Sequence, residues 1–114
     1  MGSGNDGVTE LSEQGRQGDW YPFKVLWLGD ATYKGIALVR GERIDALGSM
    51  HFSGRDQDQV PALRLTLNGW AFGGAAPGWR EWNSYSWVQG PGCYAFRING
   101  ETFSRSVVIR VIKP

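Results

Sequence analysis

A chain of 114 residues with 12 Lys and Arg against 11 Asp and Glu carries a net charge of +1. That length suits one domain, and that balance excludes the strong field of a protein built for polyanions or membrane surfaces. The arginines are scattered along the chain, which argues against nucleic acid as a partner, and no run is long and apolar enough for membrane insertion.

Short apolar runs broken by Gly, Pro and Asn dominate, with no sustained helical period, so the expected class is all-β. Residues 1–18, MGSGNDGVTELSEQGRQG, offer only Val8 and Leu11 as sizeable apolar groups. They bury too little to offset the entropy of ordering and read as a flexible tether or tag remnant, with the folded domain over 19–114. The opening MGSG has the look of a tag remnant, which leaves a native leader open, and no secretory signal pattern is present.

Residues 20–30, WYPFKVLWLGD, alternate Phe23, Val25 and Trp27 against Lys24, Leu26 and Leu28. This predicts a strand, covered on both sides towards its end, with Pro22 at a strand start or an edge. Residues 35–40 predict a second strand, Gly41-Glu42 a turn, and 43–47 its return. Residues 60–67, VPALRLTL, predict an amphipathic strand with Leu63, Leu65 and Leu67 inward, closed by Asn68-Gly69. Residues 73–78 read as a loop and 84–89 as the strand before a Pro91-Gly92 corner.

Residues 89–112, QGPGCYAFRINGETFSRSVVIRVI, predict a β-hairpin. A two-residue turn at Asn99-Gly100 sets Ile98 opposite Glu101 and makes Phe96 and Phe103 a core pair. Arg105 breaks the apolar alternation, so a bulge or strand end is expected within 104–106. Tyr94, two residues before the inward Phe96, fits the tyrosine corner of a β-sandwich as well as an ordinary turn tyrosine.

Few residues offer chemistry. The best candidates are Trp79, Trp82 and Tyr85 with Arg80: aromatic faces stack on sugars or partner side chains and lose little freedom in doing so. In a small sandwich, tryptophans such as Trp70 and Trp87 also plug the ends of the core, and Trp79 and Trp82 fit either role. Asp56 and Asp58 alone fall short of a calcium ligand set, Asp30 or Asp45 joining only where the fold brings them near, so a solvated loop is expected, and one Cys with one His cannot build a zinc site. His51 has Ser49 and Ser53 beside it but no nucleophile elbow, and no phosphate-cradling or dinucleotide motif is present. Neither metal nor cofactor is expected, nor an enzyme. Cys93, unable to pair within the chain, reads as a buried inert thiol and leaves the redox compartment open.

The order LWLGD, a middle strand, then YSWVQGPGCYAFRINGETFSRSVVIRV resembles the immunoglobulin-like domain of small exported bacterial proteins, many of them lipoproteins. The likeness rests on the corner formed by Pro91, Gly92 and Tyr94 and on the hairpin from Tyr94 to Val111. It implies an immunoglobulin-like antiparallel β-sandwich and an extracytoplasmic setting, secreted or at the cell surface. It carries over no catalytic residues and suggests a non-enzymatic module for protein or envelope interactions, with a carbohydrate-binding module as the alternative. The partner class implied is a protein or glycan at the cell envelope.

Overall fold

A computed structural model describes residues 7–30, 32–54, 58–69 and 79–113. The described residues contain eight strands and no helix. The strands are β1 (Val8–Glu10), β2 (Tyr21–Gly29), β3 (Ala37–Arg43), β4 (His51–Ser53), β5 (Leu63–Leu65), β6 (Arg80–Val88), β7 (Gly92–Gly100) and β8 (Ser104–Ile112). They form a five-stranded sheet ordered β1-β8-β7-β3-β5 and a three-stranded sheet ordered β2-β6-β4. Apolar residues from both sheets, among them Val25, Trp27, Val39, Phe52, Leu65, Phe96 and Val111, form one buried cluster, so the molecule is a two-layer all-β structure.

Alternation settles the inward faces. In β2 the residues Phe23, Val25 and Trp27 turn inward as the pattern requires. Pro22 lies on an edge strand, where a missing N–H costs no ladder bond. The far end of that strand is open on its outer face, for Leu28 is 53% exposed, contrary to the expected two-sided cover. Opposite β2, Ser84 and Ser86 bring small groups inward, and the Ser84 hydroxyl donates to the Val25 carbonyl at 2.9 Å. Between the layers Trp27 meets Phe96 edge-on, with ring centroids 5.6 Å apart, and Phe52 leans on the same ring at 6.1 Å.

Tertiary structure departs from the local signals in four places. Gly41-Glu42 is not a turn but the middle of β3, paired with Phe96 and Ala95. A Cβ at Gly41 would stand 2.5 Å from Met50 Sδ and 3.3 Å from the Phe52 ring, so the glycine admits those side chains over the strand. The expected strand over 43–47 is a bend, and Leu47 is fully exposed. In β5 the strand stops at Leu65, leaving Leu67 60% exposed rather than inward. The stretch read as a tether holds β1: Val8–Glu10 pair in parallel with Arg110–Ile112, Thr9 is buried, and Leu11 packs on the core.

The terminal hairpin forms with a different register. Asn99 pairs with Ser104 and Phe96 with Val107, so Phe103 is not opposite Phe96. Residues 100–103 make the turn, closed by the Gly100 N–H donating to the Phe103 carbonyl at 2.9 Å. The cause is a tertiary anchor. Phe103 folds back over Gly100 to meet Tyr33 edge-on at 4.9 Å. The Glu101 N–H donates to the Tyr33 hydroxyl at 2.9 Å, and the Glu101 carboxylate accepts the Ile36 N–H at 3.0 Å. The partner of Phe96 moves from 103 to 107, an even displacement that keeps every side chain on its expected face. Arg105 falls at the strand end, exposed opposite Ile98.

At the corner between β6 and β7 the Tyr94 ring is buried and its hydroxyl donates to the Gly90 carbonyl at 2.8 Å. Burial pushes this phenol above its ordinary ionisation, with the nearby Arg43 charge pulling the other way. The fold therefore holds the phenol proton more tightly than the unfolded chain, whose tyrosines ionise near about pH 10. The stability from this group is complete below that pH and is lost as pH rises beyond it through the higher ionisation of the folded state. Tyr94→Phe is expected to cost about 1 kcal/mol at neutral pH. The same variant should lose stability less steeply than the parent in alkali, as read by urea unfolding from roughly pH 8 to pH 11.

Candidate functional site

The sequence candidates do not converge. Residues two apart on a strand share a face and residues three apart do not. Trp82 lies on the inner face of β6, 3% exposed in the core, whereas Tyr85 points outward and is 37% exposed. Trp79 precedes the strand and is 40% exposed. Arg80 is engaged by backbone. Its guanidinium donates to the carbonyls of Tyr33 at 2.8 Å, Leu67 at 2.9 Å, Gly35 at 3.0 Å and Thr66 at 3.4 Å, and stacks over the Trp82 ring at 4.9 Å. The four residues therefore form no common sugar-stacking surface. The parity of the strand, had it been taken to begin at Arg80, separates Trp82 from Tyr85 in advance.

Trp87 is buried on the outer face of the second sheet rather than in the core, with its indole N–H donating to Ser53 Oγ at 2.9 Å. Trp70, Asp56 and the loop over 73–78 lie outside the described residues. His51 stacks on Trp20, ring centroids 4.1 Å apart, and its Nδ1 faces Gln59 Oε1 at 3.2 Å; neither flanking serine is its partner. Cys93 is half-buried on the outer face of the first sheet, opposite Arg110. No cluster of three or more potential metal ligands occurs among the described residues.

What the fold does assemble is a cleft of about 520 Å³ at one end of the sandwich. Both sheets line it: Trp27 and Trp82 from the second, Leu65, Ile98 and Val107 from the first, with Phe103 from the hairpin turn. Its size lies within the range of small-molecule sites. Two of its lining residues each carry an unpaired polar atom. The indole N–H groups of Trp27 and Trp82 are buried and meet no acceptor among the described residues. A buried donor without a partner costs about 1–3 kcal/mol, which a ligand oxygen recovers. At the mouth Asp30 accepts the Thr32 N–H at 2.8 Å and the Thr32 hydroxyl at 2.9 Å, and these bonds hold its carboxyl below the ordinary aspartate range.

The Tyr33 hydroxyl and the neighbouring Arg80 guanidinium are already occupied, whereas Arg105, which lines the cleft, forms no ion pair among the described residues. Tyr33 donates to the Ile36 carbonyl and accepts from Glu101, and Arg80 is spread over four carbonyls. The arrangement can enclose an apolar body; among the described residues that line it, none is a nucleophile held by a base. A second cleft, of about 570 Å³, lies beside Tyr85 and Trp87, but its walls include Glu10, Ser12, Gln14, Gln17 and Lys24, whose side chains water can satisfy. Compared with protein-family models, curated proteins and solved structures, the chain gives no significant match.

Proposed function

We propose that the chain is a non-enzymatic binding module of immunoglobulin-like β-sandwich architecture that takes a small amphipathic ligand in the end cleft. The observation that carries the binding role is the pair of buried, unpaired indole N–H donors on Trp27 and Trp82, two residues that line the cleft. What supports the immunoglobulin-like reading is the order of strands about the corner. An edge strand, β1, runs parallel to the last strand, β8, and is followed across the sheet by β7 and β3, with β2, β6 and β4 in the facing layer. The hydroxyl of Tyr94 ties the β6–β7 corner to Gly90, as a tyrosine corner does. Trp27 and Phe96 meet between the layers where antibody domains place a disulfide. The excursion of β4 to the second sheet before β5 joins the first departs from that plan. An extracytoplasmic setting, with a protein or glycan of the envelope as partner, rests on the resemblance of the C-terminal third.

The test is a fluorescence titration of the full chain with 1-anilinonaphthalene-8-sulfonate, an aromatic body with sulfonate oxygens, alongside a panel of soluble glycans. Saturable change in tryptophan emission with the sulfonate is expected. It should weaken about tenfold in Trp82→Phe, which keeps an aromatic body and removes the donor. Melting curves establish that the variant is folded. Emission unchanged up to millimolar probe and glycan would remove the reading; a response to glycans alone would transfer it to the carbohydrate alternative.

A further inference from the structure

The outer face of the five-stranded sheet gathers arginines that the chain order keeps apart. Arg40 in β3 lies directly opposite Arg97 in β7, and Arg64 in β5 stands opposite Leu38, one diagonal step from Arg40. Ser106 of β8 extends the Arg40–Arg97 row. Arg110 of β8, opposite Cys93, lies farther along the same face; all four arginines are exposed, and the ion pairs among the described residues are those of Arg16 with Glu13 and Arg43 with Asp45. Glu42, two positions along β3 on the same face, pairs in register with Ala95 and forms no ion pair with Arg40. Like charges directly opposite on a sheet oppose folding. In a chain of net charge +1, this placement is unfavourable to the isolated fold and favourable to a bound anion.

The neighbours of the arginines indicate what kind of anion. Leu38, Ala95 and Val108 share the face, and Val108 is 55% exposed. No aromatic side chain stands among them to stack on bases, and the cations are too few to track a polyanionic backbone. Arginine is enriched at protein–protein interfaces, and the exposed Val108 offers apolar area beside it. We propose that this face docks an acidic protein surface, with partner carboxylates on Arg40 and Arg97 and partner apolar groups over Val108. It is separate from the end cleft and does not depend on it.

The experiment is a titration of isotope-labelled full chain, followed by NMR, with poly-L-glutamate, heparin and an oligothymidylate in parallel. Poly-L-glutamate is expected to shift signals of Arg40, Arg64 and Arg97 and to bind about tenfold more weakly to Arg97→Gln, with Arg16→Gln unchanged. Without any ligand, Arg97→Gln should raise the denaturation midpoint at low salt, and the gain should vanish at high salt as the repulsion is screened. Equal binding of poly-L-glutamate by parent and Arg97→Gln would overturn the proposal. So would heparin or the oligothymidylate binding more tightly than poly-L-glutamate, or a lowered midpoint in Arg97→Gln.

Discussion

Phe96→Ala is expected to lower the unfolding free energy by about 3–5 kcal/mol. The ring is 2% exposed and stands where the two layers meet, edge-on to Trp27 and tilted against Phe52. Its removal leaves a void bounded by two rings of the facing sheet, Trp27 of β2 and Phe52 of β4, which cannot close on it without pulling the layers together. Edge-to-face geometry adds about 0.5–1.5 kcal/mol per pair beyond buried area. Because a domain of this size holds about 5–15 kcal/mol in total, the variant should sit near the limit of folding. Urea unfolding at neutral pH reads the effect, with Val108→Ala, at a 55% exposed position, as the control expected to change by less than about 0.5 kcal/mol. A loss for Phe96→Ala no larger than that of the control would mean that the layers are not joined through this ring.

The second large effect is expected at Arg80. Its guanidinium ties β6 to two separate segments, through the carbonyls of Tyr33 and Gly35 on one side and of Thr66 and Leu67 on the other. Arg80→Met should cost about 2–3 kcal/mol, since it leaves half-buried carbonyls without their charged donor. Arg80→Lys should recover little of it, because an ammonium is a compact point donor and cannot reach across the fan that a planar fork spans. Hydrogen exchange separates this from general loosening: amides over 32–36 and 66–69 should exchange faster, with those of β7 and β8 unaffected beyond the global shift. Uniform acceleration along the chain would show that the clamp holds nothing locally.

Where the chain's own alternation decides, the fold is legible in the sequence. Phe23, Val25 and Trp27 turn inward as written, as do Leu63 and Leu65, and the terminal runs pair as a hairpin. What fails is whatever depends on a distant partner. Gly41 carries a turn signal locally but serves Met50 and Phe52, which cross over it. The turn at Asn99-Gly100 widens because Phe103 finds Tyr33, a residue far back in the chain. Three residues of β1 are too short to show a pattern, and they are a strand only because β8 offers an edge. The end cleft and the arginine face draw on side chains from different strands, and no spacing along the sequence marks either. The grouping of Trp79, Arg80, Trp82 and Tyr85 as one surface treats as a loop what is largely strand, and period-two alternation then divides it.

The parallel pairing of β1 with β8 sets how the domain bears load. The two strands run in the same direction, so their outer ends, at Gly7 and Lys113, leave from opposite ends of the shared ladder. Tension applied between those points pulls β1 along β8 in shear. The bonds joining them, including the Arg110 N–H to the Gly7 carbonyl at 2.7 Å and the Leu11 N–H to the Ile112 carbonyl at 2.9 Å, are then strained together. A hairpin pulled from its adjacent ends unzips one bond at a time. A module threaded into a longer chain through these strands would resist stretching first at β1, a strand of 3 residues.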